Sequence, residues 1–269
     1  MTERKTLYGL SAADYMHPLE RDFLFNPDNG PILEQALDQL TDLAVVLTQQ
    51  IIFGKYVEIK PHMMPRLEAV LKDVCAMLGL TVQPRLFITH DYQPCCMQAG
   101  SNAMYILIPD LMAERADDDM LYYLFGNSVG MFKGGHLRLA TVNSVLQFIP
   151  QALPFRLPLQ AKQRAADLSS DRAGLLACQN FAAACRCIFW DLGMPPDELF
   201  TLSDEETLML ARSYPQELEY LHKGLLTGAA SQWMKWNGVI SPGFFRIHEL
   251  YQWYQEGYPE LMKRITQPV

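Results

Sequence analysis

The stretch that decides the fold reads LYYLFGNSVGMFKGGH at residues 121–136, and RAADLSSDRAGLLA follows at residues 164–177. Three acidic residues, Asp117–Asp119, precede the first stretch, where the positive end of a helix dipole favours negative charge. The sequence therefore predicts a helix from about Asp117 to Gly134. The later stretch predicts a second helix with one charged face.

The composition is that of an ordinary globular protein. The chain has 269 residues, of which 49% are hydrophobic and 19% charged, so it can bury a large core. The net charge of -8 argues against a nucleic-acid partner, because proteins that bind phosphate backbones carry clustered lysine and arginine. The N-terminal residues have no uninterrupted apolar segment after their charges, which argues against a secretory signal.

Two further features favour a cytoplasmic location without a membrane span. The most apolar central stretch, Leu137–Leu157, is interrupted too often for a span of about 20 apolar residues, and we interpret it as a buried or peripheral helix. The six cysteines have no paired Cys-x-x-Cys spacing, which suits reduced thiols. Cys95 and Cys96 are adjacent and could be redox-active, but two small buried residues are the favoured interpretation.

Hydrophobic periodicity predicts helices on either side of a small sheet. Apolar residues recur at three- and four-residue intervals from Gly30 to Ile52, which predicts a long N-terminal helix. A second helical pattern runs over Leu67–Leu78 and ends at Gly79. The predicted strands are Tyr56–Ile59, Pro84–Thr89 and Ala103–Ile108.

The C-terminal part is predicted to be almost wholly helical beyond Pro158, with helix caps at Ser203–Glu206 and at Ser241–Pro242. The fold class is therefore α+β, dominated by helices, with a small antiparallel sheet. We expect one domain over residues 1–269. Its parts are a helix-strand-helix unit at 15–80, the sheet at 84–108, the helix at 117–135 and the helical part at 158–269.

The two stretches quoted first resemble a pair of helices in the HtpX-like zinc metallopeptidases and the related CAAX prenyl proteases. In that family the first helix carries His-Glu-x-x-His-x-x-x-Gly-His and the second carries Glu-x-x-x-Asp-Arg. The spacing places two histidines on one helix face to hold zinc, while the glutamate acts as general base on the metal-bound water. The resemblance implies a helix-dominated, zincin-like metallopeptidase fold of the gluzincin type.

The ligand positions of that family carry other residues here. The first histidine falls on Asn127, the general-base glutamate on Ser128, the second histidine on Met131 and the third ligand, a glutamate, on Asp167. An amide, a hydroxyl and a thioether are poor zinc ligands, and a serine hydroxyl has no pKa near neutrality that would suit proton abstraction. The resemblance therefore implies that zinc, the family's cofactor, is lost and that no catalytic residue remains.

Other family features are retained and extend the resemblance over residues 15–255. The family has an edge strand that pairs with substrate backbone and carries Asn-Ala followed by a glycine. Here Cys95 and Cys96 replace Asn-Ala, while Gly100 remains, so these three residues are candidates for a peptide-binding strand. Near the C-terminus Ser241 replaces a histidine, and Arg246 is retained.

The helix ends also match, at Gly130, Lys133, Gly135 and His136. The most specific match is the stretch that begins with Asp171 and Arg172. In the family this aspartate supports a histidine ligand from the second coordination sphere, a role that the resemblance leaves without its partner here.

Several of these residues also have simpler structural interpretations. Met131 is expected to be a core side chain that fills the space of the metal and its water. His136 is expected to interact with the negative end of its helix dipole rather than to ligate a metal. Asp171 and Arg172 could be an ordinary exposed pair. His17, His90 and His222 are assigned no function.

Two function classes follow from these residues. In the first, the protein is a pseudopeptidase that binds a peptide or protein partner without cutting it, or has a regulatory role. In the second, it is still a hydrolase, through an unorthodox metal site or through Ser128 or a cysteine as nucleophile. The first is favoured, because likeness of fold cannot supply missing ligands. The identity of the partner and the oligomeric state are not encoded in any motif.

Overall fold

The computed structural model describes residues 4–20, 45–46, 49–60, 62–91, 95–99, 103–137, 153–213 and 242–267. The helices with named bounds are α1 Ala12–Tyr15, α2 Pro65–Met77, α3 Asp110–Arg115, α4 Asp118–Lys133, α5 Leu153–Cys178, α6 Phe181–Asp191, α7 Pro196–Leu199, α8 Pro242–Gln255 and α9 Gly257–Ile265. Further helical residues lie at 18–20, 45–46, 49–55, 136–137 and 204–213. Its strands are β1 Val57–Glu58, β2 Arg85–Thr89, β3 Cys95–Ala99 and β4 Ala103–Pro109. The predicted helix-dominated α+β class is confirmed.

The sheet is mixed, so the prediction of an antiparallel sheet was wrong. The strand order is β1-β2-β4-β3, and β2 pairs in parallel with β4, placing Leu86 opposite Ile106. Periodicity predicted no strand at β3, which pairs antiparallel with β4 and places Cys96 opposite Ile106. Because β3 reverses the chain, β4 runs in the same direction as β2. Strand β3 lies at one edge of the sheet.

Strand β4 has buried side chains on both faces of the sheet. Met104, Ile106 and Ile108 belong to the main core, which the sheet shares with the helices. The alternate residues Tyr105 and Leu107 pack on the other face in a second, smaller cluster. The sheet is therefore covered on both faces along β4.

Helix α4 has the bounds that its sequence predicts. The side chain of Asp117 caps its first turn by accepting a hydrogen bond from the Met120 amide at 2.8 Å. At the other end Gly134 is the cap, and Gly135 has a φ of 73°, a left-handed conformation that glycine adopts without strain. Charge and glycine placement therefore fix where this helix begins and ends.

Helices α4 and α5 approach each other closely because the residues between them are small. A Cβ atom at Gly130 would lie 2.3 Å from the Cβ of Ala173, and one at Gly126 would lie 2.5 Å from the Cβ of Ala177. A Cβ atom at Gly174 would lie 2.8 Å from the Tyr123 ring. Any larger side chain at these glycines would push the two helices apart.

Several predictions fall partly or wholly outside the described residues. Within the predicted helix at Gly30–Ile52, residues 45–46 and 49–52 are described, and they are helical. Most of Leu137–Leu157 and the cap at Ser241 lie outside. Helix α5 begins at Leu153, before the predicted start after Pro158. Pro154 lies in the first turn of α5, where a proline lacks only an amide that has no partner there.

The N-terminal residues are held against the C-terminal helices. The Tyr8 amide donates to the Ile265 carbonyl at 2.7 Å. The ammonium group of Lys133, at the end of α4, donates to the carbonyls of Leu10 at 2.7 Å and Leu78 at 2.6 Å. Burial lowers the pKa of this lysine.

Among the described residues no helix combines the length and apolarity that a membrane span requires.

Candidate functional site

Three of the residues that the sequence resemblance singled out on α4 line a cleft between this helix and the edge strand β3. The cleft encloses about 200 Å³. Asn127, Ser128 and Met131 line it from α4, Cys96 lines it from β3, and Arg246 lines it from α8. The structure thus brings together most of the positions that the sequence identified.

Asp171 lies beneath this cleft and binds the residue at the first ligand position. It is 1% exposed. Its Oδ1 accepts a hydrogen bond from the Asn127 amide nitrogen at 2.9 Å and another from the Tyr123 hydroxyl at 2.7 Å. Asp171 thus contacts an amide and not the histidine that the family resemblance would pair with it. An amide N–H can donate to a carboxylate as an imidazole N–H does.

Arg246 closes the same network with the geometry of a fork. Its Nε donates to Asp171 Oδ2 at 2.8 Å and its Nη2 to Asp171 Oδ1 at 2.7 Å, while its Nη1 donates to Asp191 Oδ2 at 2.9 Å. Burial raises the pKa of Asp191, and the guanidinium opposes that rise. Sequence reasoning noted Arg246 only as a retained family residue. Its role as the shared partner of two carboxylates was missed.

Ser128 and Met131 occupy the other two positions on α4. The Ser128 hydroxyl donates to the Leu124 carbonyl at 3.0 Å, and the residue is buried. Met131 packs against the core but leaves the cleft open, so the expectation that it fills the space of the metal was wrong. Its Sδ lies 3.4 Å from the Sγ of Cys96. Cys96 is only half-buried, contrary to the expectation of two buried cysteines.

Asp167, at the third ligand position, lies apart from this cleft lining. It is partly exposed, and its Oδ1 accepts a hydrogen bond from the Gln163 side chain at 2.9 Å. Burial raises the pKa of Asp167 to about 6, while Arg246 and the hydrogen bond from Gln163 oppose the rise. The Asp167 carboxylate is therefore bound to a neighbour on its own helix and does not line the cleft.

His136, which the sequence placed at the negative end of its helix dipole, forms a buried hydrogen-bonded pair. Its Nε2 lies 2.5 Å from Oε1 of Glu20, and both side chains are buried. The Ser169 hydroxyl donates to the other oxygen of Glu20, and the His17 amide donates to Ser169 at 2.9 Å. This cluster ties the N-terminal residues to α5, and no local sequence pattern indicates it.

His17 contributes a structural contact of its own. Its Nδ1 accepts a hydrogen bond from the Leu19 amide at 3.2 Å, so the proton of a neutral ring lies on Nε2. That Nε2 is 3.1 Å from Oε2 of Glu249 on α8. His90 is exposed and lies 2.7 Å from Asp110, whereas His222 is outside the described residues.

The pair Asp171 and Arg172 is buried, which excludes the alternative of an ordinary exposed pair. The Arg172 guanidinium donates to the Met16 carbonyl at 3.3 Å and lies 5.1 Å from the centre of the Trp253 ring. The two neighbouring residues therefore have different structural roles. Asp171 organises the cleft, and Arg172 joins α5 to α8 and to the N-terminal residues.

The residues present do not fit a catalytic zinc ion. The Asn127 amide is bound to Asp171, the Ser128 hydroxyl is bound to a backbone carbonyl, and Met131 offers only a thioether. No histidine lines the cleft within the described part of the chain. In the same part, no three or more histidine, cysteine, aspartate or glutamate side chains come together as a metal site. Loss of zinc stays a prediction.

The candidate residues of the edge strand are only partly covered. Backbone pairing places Cys95 opposite Leu107, and Cys96 next to it reaches the cleft. Gly100 lies outside the described residues.

Comparisons of the chain with models of protein families, with curated proteins and with solved structures found no match. The resemblance to HtpX-like peptidases therefore depends on the residues and contacts of this chain alone.

Proposed function

We propose that the protein is a pseudopeptidase: an HtpX-like, zincin-like scaffold that binds a peptide or protein partner in the cleft without cutting it. The observation that supports this most is the contact between Asn127 and Asp171. The aspartate stands where the family's supporting carboxylate would stand, and its partner is the residue at the first ligand position. The support for the ligand is retained, while the ligand itself has become an amide.

The edge strand β3 supplies the proposed route of binding. Within the described part of the chain β3 pairs with β4 on one side only, and it borders the cleft through Cys96. An extended peptide can add to such an edge through backbone hydrogen bonds, while a side chain of the peptide enters the adjacent pocket. The cleft of about 200 Å³ is large enough for a single side chain of the partner.

Hydrolysis by another route is the alternative, and the cleft gives it little chemical support. Ser128 has its hydroxyl committed to a backbone carbonyl, and no histidine base lines the cleft in the described residues. Burial raises the pKa of the Cys187 thiol well above its usual value, which disfavours the reactive thiolate.

Metal analysis of the purified protein tests the loss of zinc. We expect much less than one zinc per chain and no peptide hydrolysis that a chelator abolishes. One tightly bound zinc per chain, or hydrolysis that depends on it, would contradict the proposal and favour the hydrolase.

A reversion variant tests the placement of the family positions. The combined changes Asn127→His, Ser128→Glu, Met131→His and Asp167→Glu should restore measurable zinc affinity, because they recreate the family's ligand set. The matched control carries the same changes except that Met131 is retained, and it should bind zinc more weakly. Equal affinity in the two variants, or none in either, would count against the alignment.

Peptide binding is tested by screening a library of unstructured peptides for binding to the whole chain. Hits should bind as strands, so N-methylation of alternate peptide amides should abolish binding in one register and spare it in the other. A library without hits, or hits that tolerate methylation in both registers, would argue against the edge-strand route.

A further inference from the structure

The cleft contains an unusual concentration of sulfur. Four of the side chains that line it carry this atom: Cys96, Met112, Met131 and Cys187. We infer that the cleft binds a soft monovalent metal ion, Cu(I), through the thiolate of Cys96 and the thioethers of Met131 and Met112. Nothing in the family resemblance assigns this ion or these ligands.

The three proposed ligands come from three different elements that meet at the cleft. Cys96 is on β3, Met131 is on α4 and Met112 is on α3. The Cys96 Sγ and Met131 Sδ atoms are already in contact at 3.4 Å, across the two walls of the cleft. Methionine has several rotatable bonds, so the partly buried Met131 can turn its sulfur atom toward an ion, and Met112 lines the same cleft from the core.

The ligand chemistry selects the class of metal. Thiolate and thioether sulfur are soft donors that favour Cu(I), whereas magnesium, calcium and catalytic zinc sites use carboxylate oxygen or imidazole. Thioethers carry no charge, so one thiolate neutralises one monovalent cation. The guanidinium of Arg246 at the cleft is already paired with Asp171 and Asp191, and it leaves little net positive charge to repel the ion.

The binding step conserves charge and involves no redox change. The Cys96 thiol loses its proton to solvent, a bond forms between its sulfur and Cu(I), and the two thioethers complete the coordination. Cys187 is a poorer ligand, because its Sγ is 3.5 Å from the Met120 carbonyl and its burial holds the thiol protonated. Three of the four sulfur atoms are therefore assigned as ligands.

This inference does not rest on the proposed peptide binding. It needs only the sulfur atoms of the cleft, whereas the pseudopeptidase proposal needs the edge strand and the loss of zinc. A chain that binds Cu(I) but no peptide, or the reverse, would separate the two.

The test is a titration of the full chain with Cu(I) under anaerobic, reducing conditions against a coloured Cu(I) chelator. We expect one Cu(I) per chain that the chelator does not readily remove, with X-ray absorption showing sulfur as its nearest neighbours. Cys96→Ser and Met131→Leu should each weaken binding by more than the roughly 10- to 100-fold that loss of an outer-sphere partner causes.

Controls are required because the chain has six cysteines and fourteen methionines. Cys75→Ala and Met77→Leu remove a thiol and a thioether from α2, neither of which lines the cleft, and both should leave Cu(I) affinity unchanged. Thermal unfolding of each variant shows that it is folded. Equal affinity in the Cys96→Ser and Cys75→Ala variants, or the absence of a tight ion in the unaltered chain, would overturn the inference.

Discussion

Helix α4 has two faces that obey different constraints. Toward α5 it presents Gly126 and Gly130, where a Cβ atom would meet a neighbouring side chain at 2.5 Å or less. Toward the cleft it presents Asn127 and Met131 beside about 200 Å³ of open space. Larger side chains are therefore disfavoured on the glycine face, while the cleft face has space beside it. Residues that could carry chemistry can therefore be replaced on the cleft side of α4, while close packing against α5 holds the helix in position.

The largest loss of stability is expected at Arg246, which lines the cleft and pairs with two carboxylates. Arg246→Ala should lower the free energy of unfolding by about 3–5 kcal/mol, because it leaves Asp171 and Asp191 without their shared cation. Arg246→Lys keeps the charge but loses the fork, so it should cost less. Denaturant unfolding measures both. A loss below about 1 kcal/mol for Arg246→Ala would mean that the network is not buried as described.

The glycine face is tested by Gly130→Ala. We expect a loss of about 1–3 kcal/mol in the free energy of unfolding, since the added Cβ would lie 2.3 Å from that of Ala173. Ala173→Gly in the same chain should recover part of the loss by making room. Gly54→Ala is the matched control, because its Cβ would have no neighbour within 4 Å. Equal losses at the two glycines would show that α4 and α5 do not pack closely.

The raised pKa of Asp167 on α5 gives the stability of the protein a pH dependence. Its pKa is about 6 in the folded protein and about 3.9 in an unfolded chain, so the folded state holds more protons between these values. Stability from this group is therefore complete below pH 4 and is lost as the pH rises through 6. Asp167→Asn should be more stable than the unaltered chain at pH 7, by about 1–2 kcal/mol given its partial exposure.

Thermal unfolding at pH 4 and pH 7 measures this difference. Glu58→Gln is a control of opposite sign, because Arg85 and Lys60 lower the pKa of Glu58 to about 2 and its charge is stabilising at pH 7. If Asp167→Asn shifted the Tm equally at the two pH values, the raised pKa would be wrong.

The smallest effect is expected for Met131→Leu. The side chain borders open space, and the replacement nearly conserves its volume, so the free energy of unfolding should change by less than about 1.5 kcal/mol. Calorimetry compares it directly with Gly130→Ala one residue earlier. If the methionine change were the more damaging of the two, the contrast between the faces of α4 would be reversed.

Local signals in the sequence were sufficient for most of the elements but not for their arrangement. The acids at Asp117–Asp119 and the glycines after Lys133 bound α4 through local electrostatics and backbone freedom. Strand β3 has the sequence CCMQA, which lacks the β-branched and aromatic residues typical of strands. Missing this one strand was enough to make the predicted sheet antiparallel.

The sequence predicted which residues belong to the site, but not which of them contact each other. Family likeness placed Asn127 and Asp171 on two helices, but only the packing of α4 on α5 brings the amide to the carboxylate. Arg246 lies 75 residues from Asp171, and Glu20 lies 116 residues from His136. Contacts between side chains this far apart in the chain are not indicated by any local periodicity of the sequence. Such pairs become visible only when the helices are assembled.

The contacts of the N-terminal residues also set an order of events during synthesis. Asp14 pairs with Arg264 across 250 residues, and His17 pairs with Glu249 across 232. Asp14 and His17 can therefore pair only after residues far along the chain have been made. Contacts of such long range are slow to form, so docking of these N-terminal residues is expected to be a late step of folding. Until then, Lys133 lacks its contact with the Leu10 carbonyl and His136 lacks its contact with Glu20.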